Sequence, residues 1–265
     1  MKNLMIVLST LVAIALVSFK PANAQVDFNL LASTPSGSWQ LREDTETDAK
    51  GRQTGSSIRT SMLEREVRDG KAYYWIEVAM DSYKISKKGK RKPQGDRAII
   101  KTLIPESTLK ADPANVLNNL RGFGVETIVQ SGNEAPMRMG DTDGMMAGVM
   151  KAFNTEIEFD FESLGNESVT VPAGDFSAQK IRGQGSVSMK VMFKKINVES
   201  DNTSWLSTKV PFGTVKVDGT TTTNGKESRY ESQLVEFGMN GAKSEITAEP
   251  KDMPEMPKLG DLFGG

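Results

Sequence analysis

The side chains that most often carry chemistry are missing from this chain, which has no histidine and no cysteine. That removes the commonest general base, the commonest transition-metal ligand and every thiolate. A Ser-His-Asp triad, a Cys-His dyad, a zinc-protease site and disulfides are all excluded. No catalytic residue, metal ligand set or cofactor motif is assigned. An enzyme built on this chain would be a hydrolase working with lysines or carboxylates, and no set of them stands out.

Clusters of another kind remain. Met137, Met139, Met145, Met146 and Met150 gather in the middle of the chain. Over 141–153, Met145, Met146, Val149, Met150 and Phe153 share one stripe at helical spacing. Gly144 and Gly148 weaken that helix by about 1 kcal/mol each, and Asp141 and Asp143 stand where they would cap it. Methionine is flexible and polarizable, which suits a surface that must fit varied apolar ligands. The stripe therefore reads as a lid over an apolar cavity, or as a packing helix with methionine as filler. A second cluster is "YKISKKGKRKPQGDR", with Lys87, Lys88, Lys90, Arg91 and Lys92 between two strand signals. It can contact an anionic surface such as lipid headgroups, at about 1 kcal/mol per basic residue. It also fits a solvated hairpin loop whose charges discourage edge pairing. The third cluster is Glu156, Glu158, Asp160 and Glu162, which alternate with Ile157, Phe159 and Phe161 and so share a strand face. Such carboxylates could collect calcium or make an acid–base pair; the wet face of an ordinary strand has the same pattern.

The ends of the chain bear on compartment. Lys2 precedes the apolar run from Leu4 to Phe19, Pro21 breaks it, and Ala22-Asn23-Ala24 supplies small residues for a signal peptidase. This pattern predicts a signal peptide over 1–24, cleaved before Gln25. The expected location is periplasmic or secreted, with no lipobox cysteine and no transmembrane anchor after cleavage. Loss of Lys2 and Lys20 leaves 31 basic against 34 acidic residues, a net charge near −3, with no basic field for nucleic acid.

From Gly37 onward the pattern is β. Trp39 and Leu41 start a strand, Asp69-Gly70 marks a hairpin, and Tyr74, Ile76, Val78 and Met80 alternate with Tyr73, Trp75, Glu77 and Ala79. A further strand covers 98–104. The segment 113–124 reads as a short helix, Val125 to Val129 as a return to strand, and from Glu156 the chain is β again, with Val187, Met189, Val191 and Phe193 on one face of a later strand. Asn224-Gly225 makes another hairpin before a last strand around Tyr230–Phe237. The remainder, 241–265, reads as a flexible tail containing proline and methionine. Strands, a helical insert at about 106–153, then more strands predict a mainly β (α+β) fold: one curved antiparallel sheet with helices packed on one face.

Two corners, "SVTVPAGDFSAQKIRG" (168–183) and "WLSTKVPFGTVKV" (205–217), join strand runs through Val-Pro turns. Proline presets φ and stops the ladder, and glycine closes the turn. These stretches, with "GKAYYWIEVAM" and "AIIKTLIP" upstream, resemble the periplasmic lipoprotein-carrier (LolA/LolB/LppX-like) superfamily, in its uncharacterised secreted branches, over roughly residues 37–240. The resemblance implies an antiparallel half-barrel of residues 25–240, with helices on its concave face and a hydrophobic cavity between. It implies a periplasmic binding or carrier protein for an apolar ligand, such as a lipid acyl chain or a lipoprotein. Candidate cavity residues are Trp75, Met145, Met146, Met150, Phe159, Val187, Met189, Val191, Phe193 and Trp205. An envelope protein or an anionic membrane surface is a further partner class, and a monomer is expected. The alternative is a cell-envelope scaffold or interaction module with a filled core and no ligand.

Overall fold

The computed structural model describes residues 30, 33–110, 124–140, 156–191 and 194–253. β1 (Trp39–Asp48) returns as β2 (Gln53–Arg68), and β2 returns as β3 (Lys71–Ile85). Asp69 and Gly70 join the last two with positive φ at both residues, 48° and 75°, the primed turn whose twist matches its strands. β4 (Arg91–Pro93) and β5 (Ala98–Pro105) pair with successive lengths of β3. β6 (Glu126–Ser131) and β7 (Met137–Gly140) extend this first meander outward.

A second meander runs from the other edge back toward the centre. It comprises β8 (Glu156–Val171), β9 (Gly174–Val191), β10 (Lys194–Leu206), β11 (Thr214–Thr223) and β12 (Lys226–Gly238). β13 (Lys251–Asp252) completes the sheet. The order is β13-β7-β6-β5-β3-β2-β1-β12-β11-β10-β9-β8, with β4 beside β3. All the pairings are antiparallel except β13 with β7. The meanders meet where β1 pairs with β12, from Trp39 opposite Gly238 to Asp48 opposite Ser228.

The sheet coils on itself. In the first Val-Pro corner Val171 pairs with Gly174, leaving Pro172 and Ala173 as a two-residue loop. The Ala173 N–H then donates to the Leu234 carbonyl on β12, at 3.2 Å. Val171, Phe176, Ala178, Trp205, Val215 and Leu234 pack together under that corner. Glycines permit the close approach that coiling needs. Phe161 lies opposite Gly183 and Phe159 opposite Gly185. A Cβ at these glycines would fall 2.8 and 2.1 Å from ring carbons, so each ring covers bare backbone.

The second corner works differently. Phe212 has φ of 60°, unfavourable for a bulky residue. It is held there because its N–H donates to Thr34 Oγ1 at 2.9 Å and its ring is buried with Met62, Ile76, Ile104 and Leu109. No helix packed on the concave face is found among the described residues. Among the described residues of the expected insert, helix is confined to the single turn α1 (Glu106–Leu109). β6 and β7 follow, because Ile128 packs with Leu63, Trp75 and Leu103 and so extends the sheet. Among the described residues, Phe212 packs with Met62, Ile76, Ile104 and Leu109, and Leu30 with Ile181 and Leu206. Residues 111–123 and the methionine stripe of 141–153 lie outside the described residues; Met137 and Met139 belong to β7.

The segment after β12, expected to be a tail, packs as a strap over 241–253. The Ala242 N–H donates to Gly37 O at 2.8 Å, and Ala242 and Ile246 cover the Trp75 cluster. The Glu77 carboxylate, 2% exposed, accepts from the Glu245 N–H at 2.8 Å and from Ser244 Oγ at 2.5 Å. Arg97 chelates Glu245 at 2.7–3.0 Å. Glu77→Ala leaves those donors without an acceptor, so we expect a loss of about 1–3 kcal/mol in denaturant unfolding and earlier proteolysis within 241–253. Unchanged stability would show that the strap contributes nothing to the fold.

Candidate functional site

The site begins with an inversion on β1. Along this strand Trp39, Leu41 and Glu43 are half-buried, whereas Gln40, Arg42 and Asp44 are buried. The polar set therefore faces inward. What it meets follows from register. Asp44 pairs with Ser232, Ser232 with Val217, Val217 with Ser204, and Ser204 with Ile181. One rung further, Glu46, Tyr230, Gly219, Asn202, Gly183 and Phe161 follow one another across β1, β12, β11, β10, β9 and β8. The next rung holds Ser228, Thr221 and Ser200. Side chains from these rungs line one cavity of about 310 Å³.

Burial grades along the cavity. Arg42, Thr214, Leu206 and Ile181 are buried at one end, where Leu30 packs on Ile181, Leu206 and Gly213 and closes it. Thr223 is exposed at the other end, which is the mouth. The lining is mixed. Phe161, Ile181, Leu206 and Val217 are apolar, and hydroxyls of Ser200, Ser204, Thr214, Thr220 and Thr221 stand among them.

Electrostatics in the cavity centre on Asp44. It accepts from Ser232 Oγ at 2.6 Å and from the Tyr230 hydroxyl at 2.9 Å. Burial, and then the Asp44 charge, push the Tyr230 phenol well above its ordinary value of 10.0. Arg42 makes no such bond: its Nε is buried without a hydrogen-bond partner, and so is Thr214 Oγ1.

The structure separates the residues singled out from sequence. Trp75 packs with Leu63, Leu103 and Ile128, and its Nε1–H donates to Glu66 at 2.9 Å. Trp205 belongs to the cluster under the first corner, and its indole N–H donates to Glu167. That bond, with Lys180, holds the Glu167 carboxyl below its usual range. Neither tryptophan lines the cavity. Phe159 faces a separate, open depression beside Glu158 and Asp160. Val187 and Met189 stand opposite Val198 and Ile196, half-buried on the far half of β9, which ends at Val191. Met145, Met146, Met150 and Phe193 lie outside the described residues.

The acidic face of β8 meets Ser186, Gln184 and Arg182 across the ladder rather than other carboxylates. In the basic loop Lys87, Lys88, Lys90 and Lys92 are exposed. Arg91 turns back to pair with Glu43 at 2.9 Å, over the Tyr83 ring. The loop's position is set by register too: Glu46 pairs with Thr54, Thr54 with Lys84, and Lys84 with Lys92. The basic loop and the cavity mouth thus share one end of the sheet.

The residues missed from sequence are Arg42, Asp44, Thr214 and Tyr230. For Arg42 and Asp44 the signal was the nearly all-polar strand "QLREDTETD", which reads equally well as a solvated strand; Thr214 and Tyr230 carried none.

No protein-family model and no curated protein matches this chain. Among solved structures it is similar to a protein described as a putative lipoprotein from Parabacteroides distasonis ATCC 8503. That match is at 15% identity and a TM-score of 0.35, covering 77% of this chain and 96% of that one. It is also similar to a protein from Bacteroides fragilis NCTC 9343 described as a putative exported protein with YmcC-like fold. There the identity is 13% and the TM-score 0.35, covering 77% of this chain and 97% of that one.

Tyr230 yields a pH prediction. A phenol whose folded pKa is raised adds stability that is complete below the unfolded value of 10.0 and is lost as pH rises above it. Tyr83, raised by burial and then by its bond to Glu43, behaves alike. As pH rises above about 10 the unfolding free energy should fall, because each of these tyrosines ionises in the unfolded chain before it does in the folded one. Urea titrations should give a shallower slope in Tyr230→Phe than in wild type; equal slopes would place Tyr230 in water.

Proposed function

We propose that this is an exported small-molecule binding or carrier protein whose ligand occupies the cavity between β1 and β8–β12. The observation that carries the reading is a cavity closed at one end by Leu30 and open at the other, with an apolar stripe among its hydroxyls. Its volume of about 310 Å³ stands at the lower end of ligand pockets, which run from about 300 to 1,000 Å³. It suits one short chain or a small amphiphile better than several long acyl chains. Export is supported by the signal-peptide pattern of 1–24. Among the described residues no helix is long and apolar enough to cross a membrane. The resemblance to the periplasmic lipoprotein carriers supports the same class of function.

The exposed lysines at the mouth's end of the sheet support a second element, loading at an anionic lipid surface, each lysine adding about 1 kcal/mol close to the bilayer. A protein that holds an apolar guest must collect it from somewhere, and a basic loop at the same end of the sheet as the opening favours both steps on one side of the molecule.

Filling the cavity tests the reading. Ser204→Phe projects a ring from the rung of Asp44, Val217 and Ile181 and should cut uptake of a fluorescent short-chain lipid probe at least about tenfold, with the circular dichroism spectrum unchanged. Native mass spectrometry of wild type from its own host should show a bound species that Ser204→Phe lacks. An empty wild-type protein that takes up no probe would defeat the carrier reading and leave an interaction module. Charge reversal at Lys87, Lys88 and Lys90 should abolish flotation with anionic vesicles but not with neutral ones.

A further inference from the structure

We propose that the closed end of the cavity seats the carboxylate of a small monocarboxylic acid, with its hydrocarbon part lying toward the mouth along Phe161, Ile181, Leu206 and Val217. This rests on the cavity being a ligand site, and it names the ligand's class and polarity.

The first observation is Arg42. Its residue is 9% exposed, it lines the cavity, and its Nε has no hydrogen-bond partner. A guanidinium stays charged and offers five donors and no acceptor. Buried charges of this kind are ordinarily paired, because an unpaired one is costly to remove from water. The carboxylate two residues along the same strand, Asp44, is already taken up by Tyr230 and Ser232. No ion pair joins it to Arg42 among the described residues. The second observation is Thr214, 1% exposed, also lining the cavity, with Oγ1 unpartnered. It pairs with Leu206 across the ladder and so belongs to the same closed end. What is missing from both is an oxygen acceptor, and the cavity is where one can be supplied.

Charge selects among acceptors. A neutral hydroxyl would bond to Arg42 without offsetting its charge. A phosphate would bring close to two negative charges beside Asp44, with Glu46 one rung further on. A carboxylate matches the single cation and its planar, forked donors. The apolar stripe then asks for hydrocarbon on the same molecule, and the modest volume keeps it short. The basic loop at the mouth's end of the sheet adds a favourable field for an incoming anion.

The test compares octanoate with 1-octanol, which share a chain and differ in charge, by calorimetry on the purified protein at neutral pH. Wild type should bind octanoate roughly 10- to 100-fold more tightly, the value of a charge-assisted hydrogen bond. Arg42→Met should lose that preference while keeping its affinity for octanol, and Thr214→Val should lose a smaller part. Equal affinities in wild type would overturn the carboxylate assignment and leave the cavity reading standing. A preference that persists in a folded Arg42→Met protein would also overturn it. Binding of neither compound, with Ser204→Phe equally silent, would remove the cavity reading and this inference with it. Should Arg42→Met fail to fold, 13C-carboxyl octanoate on wild type decides. A carboxylate held by Arg42 stays ionised below the pH at which the free acid takes up its proton; one that titrates with the free acid refutes the assignment.

Discussion

Everything in this fold hangs on one long-range pairing, β1 with β12. The first meander runs outward from β1 and the second returns inward to β12, so their hydrogen bonds alone make two sheets into one. The seam joins residues almost two hundred positions apart, as in the bond from Ser232 to Asp44. Closing so long a loop costs conformational entropy before any contact offsets it. The pairing is therefore reinforced by side chains: Ser38 donates to Met239 O at 3.2 Å, and Tyr230 and Ser232 both hold Asp44.

The same seam makes the site. A single meander is an open surface with one wet face. Once β12 is tied to β1, the second meander coils until its first corner reaches back to Leu234, and its inner face becomes a wall. The polar residues of β1 then turn from a solvated row into a buried one. Burying Arg42 and Asp44 weakens the fold unless each finds a partner. Asp44 finds hydroxyls, whereas Arg42 is left facing the cavity. A fold selected for stability alone would fill that position with a hydrocarbon side chain, as it does at Leu234 and Val215, both wholly buried.

Much of the local architecture was legible. Asp69-Gly70 and Asn224-Gly225 each put two residues at positive φ, and short-range sterics suffice to predict such turns. The Val171-Pro172-Ala173-Gly174 corner was legible for the same reason. The return to strand at Val125 to Val129 was legible as well, and Ile128 and its neighbours hold that strand in the sheet by packing on the Trp75 cluster. The packing of 241–253 was not legible because its anchors, Glu77 and Arg97, lie far away in sequence.

The sequence by itself determined an export-type leader pattern, a β-rich chain, the places where it turns, and the absence of thiol and imidazole chemistry. Those properties are local or compositional, and each can be read within a few residues. Only the tertiary structure decided which face of each strand looks inward. Alternation says that Gln40, Arg42 and Asp44 share a face, but not that a seam with β12 encloses it. It sent Trp75 and Trp205 to separate filled clusters, and it placed a charged residue at the closed end of a cavity. Inside and outside are properties of the coiled sheet, and the coiling depends on pairings between strands that the chain itself keeps far apart.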